Sequence, residues 1–281
     1  MTIFKLRQSL LQEISELYPG NEAVSIVRLI LEHAGFSEYS MLKDPSQTVN
    51  RKTQAEITKI VKELNKNKPI QYILGECFFY DLRFAVNEKV LIPRPETEEL
   101  VSNILQECSK ASPSILDIGC GSGCISVALA KNIPGSVVYA LDVDEKILET
   151  ARKNALENDT KLTFLLKNIL EEDPGTTELK FDLIVSNPPY VTPGDRLFMA
   201  ANVLQFEPER ALFTPEDDPL IFYRAIIRVA HKHLRKDGAI WVEINERLGE
   251  ETKDLFSRSG FGRVRLLKDI HGKDRFIQAS K

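Results

Sequence analysis

The apolar run FDLIVS ends in Asn187-Pro188-Pro189-Tyr190. Each proline fixes its own φ and pushes the residue before it toward extended backbone, so this corner is rigid. Neither proline carries an N–H, so nearby carbonyls lose two competing donors. A stiff corner of this composition suits the handling of a planar –NH2 group. The Asn187 side-chain oxygen and the Pro188 carbonyl can each accept one N–H, which orients the nitrogen and raises its electron density. The Tyr190 ring can stack on the planar group and exclude water. An amide nitrogen needs such help, because its lone pair is delocalised into its carbonyl. No strong base is obvious near the corner, and none is required, since an alkylated amide nitrogen sheds its proton readily. The catalysis expected is positioning plus preplaced dipoles. The plain alternative is a stiff turn without chemistry.

A glycine loop upstream weighs against that alternative. The strand-like SILDIG runs into Gly119-Cys120-Gly121-Ser122-Gly123 and then into a helical segment. Glycine at alternate positions lets the backbone turn sharply and approach a ligand, and the helix N-terminus behind it offers free N–H groups. A dinucleotide fingerprint would want glycine at 124, where Cys124 stands, so that pattern is broken. Asp142 ends the next strand, 23 residues after Gly119, where a carboxylate can accept two hydrogen bonds from a ribose diol. Asp144 can do the same or cap the next helix, and Asp142 is favoured because it lies nearer the strand end. Asn168 follows the third strand and is placed either to meet an adenine edge or to form a surface turn. The four cysteines, Cys77, Cys108, Cys120 and Cys124, show no CxxC pair and no histidines at zinc spacing, so no metal site is expected.

The elements that must position these residues follow from periodicity. Leu6, Leu10, Ile14 and Leu17 recur at helical spacing, as do Val24, Val27, Ile30 and Leu31, and Ile57, Ile60, Val61 and Leu64. QYILGECFFYDLRFAV is aromatic and β-branched and reads as a hairpin. LIPRPETEEL opens a helix, with Pro95 in its first turn and Glu96, Glu98 and Glu99 where the helix dipole favours anions. From about residue 113 strands and helices alternate, which implies a mainly parallel sheet covered on both faces. The helical segment PLIFYRAIIRVAHKHLRK is followed by the strand AIWVEI. The expected organisation is a small helical domain over 1–69, a linking β-hairpin over 70–92 and an α/β domain over 93–281.

Composition bounds the partners. The net charge is −4, and residues 1–80 carry ten Lys/Arg against nine Asp/Glu, which is no electrostatic footprint for nucleic acid. The opening segment mixes charge into every turn and lacks the apolar core of a signal peptide. No stretch approaches the roughly 18 apolar residues of a membrane span. A cytoplasmic protein with reduced thiols is the expectation, and a monomer is the default.

The pattern Asp117-x-Gly119-x-Gly121-x-Gly123 resembles the cofactor loop of class I methyltransferases. Over nearly its whole length the chain resembles the protein-(glutamine-N5) methyltransferases that modify peptide chain release factors, the HemK/PrmC family. The more specific matches are Pro69-Ile-Gln71-Tyr72-Ile-Leu-Gly75 with Phe79, then Leu91-Ile-Pro93-Arg94-Pro95-Glu96-Thr97-Glu98. Glu207-Pro208-Glu209-Arg210-Ala211-Leu212 and Asp269-Ile-His-Gly272-Lys273-Asp274-Arg275 complete them. The resemblance implies a Rossmann-like class I methyltransferase sheet preceded by a small helical domain and a linking β-hairpin. It implies S-adenosyl-L-methionine as cofactor, held by Gly119, Cys120, Gly121, Ser122, Gly123, Asp142, Asn168 and Asn187. It implies a catalytic pocket of Asn187, Pro188, Pro189 and Tyr190, and class I release factors as the protein partner. Asn245 and Leu248 depart from the family's usual glycine and glutamine after the strand WVEI, which puts local loop contacts in doubt. Arg94, Glu96 and Thr97 read equally as a site entrance or as a capping box, and Glu207 with Arg210 as site-lining residues or a surface ion pair.

Two other functions share the corner. Base methylation of DNA or RNA would want a further recognition domain, and completing the sheet consumes the 91 residues after Tyr190. A catalytically dead binding module would show decay in the loop or the corner, and both are intact.

Overall fold

A computed structural model describes residues 1–281. Its contacts divide the chain into two compact units, Met1–Gly75 with Ala201–Phe206, and Glu76–Ala200 with Glu207–Lys281.

The first unit is helical. It contains α1 (Ile3–Ser15), α2 (Asn21–His33), α3 (Glu38–Lys43), α4 (Arg51–Leu64) and α5 (Ile70–Leu74). Side-chain caps start three of these helices: Thr2 on Lys5 N, Ser37 on Ser40 N and Asn50 on Thr53 N. The apolar stripes Leu6, Leu10, Ile14 and Val27, Ile30, Leu31 and Ile57, Val61, Leu64 meet in one buried cluster. Leu17 and Val24, both counted in those stripes from spacing, are exposed. Leu17 lies beyond the end of α1, and Ala23 and Ile26 take the inward positions of α2. Residues 70–74, read as the start of a hairpin, form a helix that Gly75 closes in the left-handed conformation, φ 74°.

The second unit begins with the hairpin β1 (Glu76–Phe79) and β2 (Leu82–Ala85). Tyr80 and Asp81 both have positive φ, 49° and 59°, as a two-residue turn between twisted strands demands. Then follow α6 (Pro95–Glu107), β3 (Ser114–Ile118), α7 (Cys124–Asn132), β4 (Val137–Asp142), α8 (Glu145–Glu157), β5 (Leu162–Leu166) and β6 (Phe181–Ser186). A 3-10 segment, Pro193–Phe198, precedes α9 (Ala201–Phe206), which groups with the first unit, and α10 (Glu209–Leu212). The chain ends with α11 (Ile221–His233), β7 (Leu234–Glu243), α12 (Gly249–Arg258), β8 (Arg263–Lys268) and β9 (Asp274–Ser280). The helical segment expected to run to Lys236 stops at His233, and β7 starts five residues before the expected Ala239.

The seven strands lie in the order β5-β4-β3-β6-β7-β9-β8, with β9 antiparallel to both neighbours and the other pairs parallel. Every residue of β6 is buried, as a central strand covered on both faces requires. Leu116, Ile184, Ile240 and Ile277 from four strands pack with Tyr223, Ile226 and Val229 of α11. The chain order reverses between β3 and β6, so the carboxyl ends of those two strands flank the switch point where open α/β sheets bind ligands.

Candidate active site

A cavity of about 470 Å³ opens at that switch point. Its wall includes Gly119, Cys120, Gly121, Ser122, Asp142, Asn168, Asn187, Pro188 and Pro189. The structure therefore brings to one cavity the glycine loop, the β4 end and the proline corner. Gly123 lies just outside this wall and Tyr190 does not reach it.

The loop is built by its backbone. Gly119 N and Cys120 N both donate to the Leu141 carbonyl, at 2.8 and 2.9 Å, which pins the turn to β4. Gly119, Gly121 and Gly123 all have positive φ. At Gly119 and Gly121 an added Cβ would meet open space, so here glycine serves backbone geometry and an uncovered peptide face. At Gly123 it would lie 3.1 Å from the Ala151 Cβ, so there glycine serves the packing of α7 on α8. Beneath the loop, Asp117 Oδ2 accepts from the Ser126 N–H and hydroxyl, while its Oδ1 has no partner. Burial pushes the Asp117 carboxyl up to about 7, against the pull of the Ser126 donors.

Asp142 is held by two backbone donors, Gly121 N to Oδ2 at 3.0 Å and Val143 N to Oδ1 at 2.7 Å. Burial raises its pKa, and those N–H groups and the Arg210 guanidinium oppose the rise. Asp144 caps α8 through Lys146 N at 2.9 Å. Both alternatives left open by the sequence thus line the cavity, but only Asp144 is occupied with a helix end. Asn168 forms an Asx turn, its Oδ1 accepting from Leu170 N at 3.1 Å, which leaves its Nδ2 as the group with donors to offer. Cys120 and Cys124 are buried thiols whose pKa values burial raises well above normal, so neither is a nucleophile.

The proline corner is fixed from below. Ser186 Oγ donates to the Ile118 carbonyl at 2.7 Å, joining the ends of β6 and β3. Asn187 Nδ2 donates to Thr97 Oγ1 at 3.0 Å, and Thr97 Oγ1 donates to Glu243 Oε2 at 2.7 Å. The Tyr190 hydroxyl turns inward and donates to Glu243 Oε1 at 2.9 Å. Thr97, which the sequence left between a site entrance and a capping box, sits in this network, whereas Glu243 was not among the site residues drawn from the sequence. Glu243 carried one signal, a lone carboxylate inside the strand run AIWVEI. Burial raises its pKa, opposed by the Thr97 and Tyr190 hydroxyls and by Arg275.

The side chains of α6 make no capping box. Arg94 forms an ion pair with the buried Glu207 at 2.5 Å, and Glu207 also accepts from Ile92 N at 3.3 Å, so Glu207 fastens the 92–94 loop that borders the cavity. Glu98 accepts from Tyr80 N and Glu99 from Ile270 N. The pairing of Glu207 with Arg210 suggested by sequence proximity is replaced by the pair with Arg94.

The model of the methyltransferase small domain family matches residues 96–213. A release factor glutamine methyltransferase of Flavobacterium psychrophilum is 42% identical, with 100% of this chain and 99% of that protein covered. One of Bacteroides thetaiotaomicron is 41% identical over 96% of this chain and 97% of that protein. The chain belongs to the release factor glutamine methyltransferases. In fold it is similar to a crystal structure of a methyltransferase from Pyrococcus furiosus, 19% identical with a TM-score of 0.51, covering 82% of this chain and 98% of that one. No helix is long and apolar enough to cross a membrane, and no group of three or more His, Cys, Asp or Glu side chains converges.

The departure from the family pattern at Asn245 has a structural use. Its Nδ2 donates to the Tyr190 carbonyl at 3.0 Å and to Asp195 at 2.9 Å, and its Oδ1 accepts from Arg247 N at 2.9 Å. Arg247 pairs with Asp195 at 2.9 Å and covers the Phe198 ring. Asn245 thereby ties the end of β7 to the segment that leaves the proline corner. Asp269, in the last of the family motifs, folds its turn around Arg275 Nε at 3.2 Å, which keeps that cation near Glu243.

Proposed function

We propose that this enzyme methylates the N5 amide nitrogen of a glutamine side chain, in the Gly-Gly-Gln motif of class I peptide chain release factors, using S-adenosyl-L-methionine. The observation that carries the reading is the Asn187 carboxamide. Its amine branch is engaged by Thr97, so its carbonyl branch is the one left for a ligand at the wall of the cavity, just ahead of two prolines that have no N–H to donate.

The residues fit the cofactor. Asp142 presents an anchored, buried carboxylate at a strand end, suited to a ribose diol, and Gly119 and Gly121 leave an uncovered backbone. Asp142, Gly119 to Gly123 and Asn168 would hold it. When bound, S-adenosyl-L-methionine supplies an electrophilic methyl group. The protein's own work is to place the glutamine nitrogen. Asn187 Oδ1 and the Pro188 carbonyl each accept one N–H, which turns the nitrogen lone pair toward the glycine loop and pushes electron density onto it. The nitrogen would accept that methyl group as its bond to the cofactor's sulfur breaks and would then release one proton to solvent, so the protein need supply no general base. Pro189 shapes the pocket, and Tyr190 braces it from the side through Glu243. The missing N–H groups of Pro188 and Pro189 matter as much as the acceptors, because an N–H at either position would compete for them.

The names of the relatives support a release factor as substrate. Incubating the purified protein with S-adenosyl-L-methionine and a class I release factor, followed by peptide mass spectrometry, tests it. The expected result is a gain of one CH2 unit on the Gly-Gly-Gln glutamine alone. Modification elsewhere, or of nucleic acid only, would overturn the reading.

A further inference from the structure

Glu243 lies beneath the proline corner rather than in it. It ends β7 at 1% exposure, and its two oxygens take two hydroxyls from different parts of the chain, Thr97 at 2.7 Å and Tyr190 at 2.9 Å. A threonine hydroxyl has one proton to give. Thr97 gives that proton to Glu243, so toward Asn187 its oxygen can only accept. Asn187 must then turn its Nδ2 to Thr97, and its Oδ1 takes the other branch.

This order of donors decides something that shape leaves undecided. The two branches of a carboxamide are nearly the same size, and only hydrogen bonding distinguishes them. An Asn187 presented amine-first would face a substrate –NH2 donor to donor. We infer that Glu243 and Thr97 are positioning residues, a carboxylate–hydroxyl relay that fixes the Asn187 amide with its oxygen toward the substrate nitrogen. The inference rests on the amide methylation proposed above. The same carboxylate holds the far end of the corner through Tyr190, so one buried group sets both Asn187 and the residue three positions after it. Tyr223 supports the strand from α11, donating to the Glu243 backbone carbonyl at 3.1 Å.

The test compares wild type, Thr97→Val, Thr97→Ser and Glu243→Gln with a release factor as substrate. It measures single-turnover kcat, cofactor affinity by calorimetry and the thermal melt. Valine keeps the shape of threonine but neither accepts nor donates. Thr97→Val should lose about 10- to 100-fold in kcat, the scale of misplacing one reacting partner, with cofactor affinity within about twofold. Thr97→Ser keeps the hydroxyl and should recover most of that loss. Glu243→Gln turns an amine toward one of two hydroxyl donors, so it should lose kcat as Thr97→Val does. A Thr97→Val enzyme within about twofold of wild-type kcat would overturn the relay while leaving the proposed function standing. So would a serine variant as slow as valine, or a kcat loss matched by a collapse in cofactor affinity and melt. A wild type that adds no methyl group to the factor would overturn the function and the relay together.

Discussion

Asn187 is the side chain asked to activate the nucleophile, and its two simplest substitutions separate acceptance from shape. Asn187→Ala removes the acceptor and should cost at least about a hundredfold in kcat, as losing one preorganised electrostatic partner does. Asn187→Asp keeps an acceptor of the same shape but adds charge, and a carboxylate needs Thr97 to donate rather than accept. Thr97 already donates to Glu243, so the Asp variant sets two carboxylates around one hydroxyl. It should retain more activity than Ala and less than wild type. Single-turnover kinetics read this directly, and normal turnover of the Ala variant with an unchanged melt would dismiss the mechanism. At Asp142 the loss should instead fall on binding. Asp142→Ala deletes an acceptor already held by two backbone donors, and calorimetry should show cofactor affinity falling steeply while the fold persists. Unchanged affinity would remove Asp142 from the cofactor site.

Two devices at the scale of elements set the site's stiffness. One is Asn154 on α8, fully buried, which accepts from Ala85 N at 2.7 Å and donates to Ala85 O at 2.9 Å and Ser122 O at 2.8 Å. It ties the hairpin, the glycine loop and α8 at one point. Asn154→Ala leaves one buried and two partly buried backbone groups without these partners, and should cost about 2–4 kcal/mol in a denaturant melt and also weaken cofactor binding. A loss of stability with full cofactor affinity would show that the tie does not reach the loop. The other is Asp117, which joins β3 to α7 through Ser126. The folded protein keeps the Asp117 proton up to about pH 7, whereas its ordinary value is 3.8. Between those values the folded state binds the extra proton, so the stability linked to it is present at low pH and is lost as pH rises toward 7. In melts from about pH 5 to pH 8 Asp117→Asn should flatten this fall, and parallel profiles for wild type and variant would refute the assignment. The sequence made the glycine loop and the strand–helix alternation legible, because both are local patterns with a period or a fixed spacing. It did not make Asn154 legible, and it left Thr97 between a site entrance and a capping box without its partners. Asn154 pairs with a residue 69 positions away and Thr97 with one 146 away, and a single buried polar residue on a helix has no periodic signature. The same holds for Tyr190, whose ring suggested stacking in the pocket but whose hydroxyl is drawn inward by Glu243.

At the scale of the molecule, the chemistry and the helical unit separate cleanly by residue. Every wall residue of the cavity belongs to Glu76–Ala200 or Glu207–Lys281, and none to Met1–Gly75. The relay of Glu243, Thr97, Asn187 and Tyr190 lies wholly in the same unit. The helical unit has its own buried cluster, from Ile3 to Ile70, and so does not depend on the sheet for an apolar interior. It carries ten Lys/Arg against eight Asp/Glu over Met1–Gly75, with Tyr39 and Leu42 of α3 largely exposed. A surface of that kind suits a protein partner better than a polyanion. We propose on these grounds that residues 1–69 recognise the release factor and take no part in methyl transfer. Deleting them should leave cofactor affinity within a few-fold, because no contact to the cavity is removed. It should sharply lower kcat/KM for the intact factor, and lower it much less for a short peptide that carries only Gly-Gly-Gln. The peptide arm matters because it separates lost recognition from lost catalysis: a truncated enzyme slow on both substrates has been damaged at the site. A truncated enzyme that modifies the intact factor at the full rate would show that recognition resides in the methyltransferase unit itself.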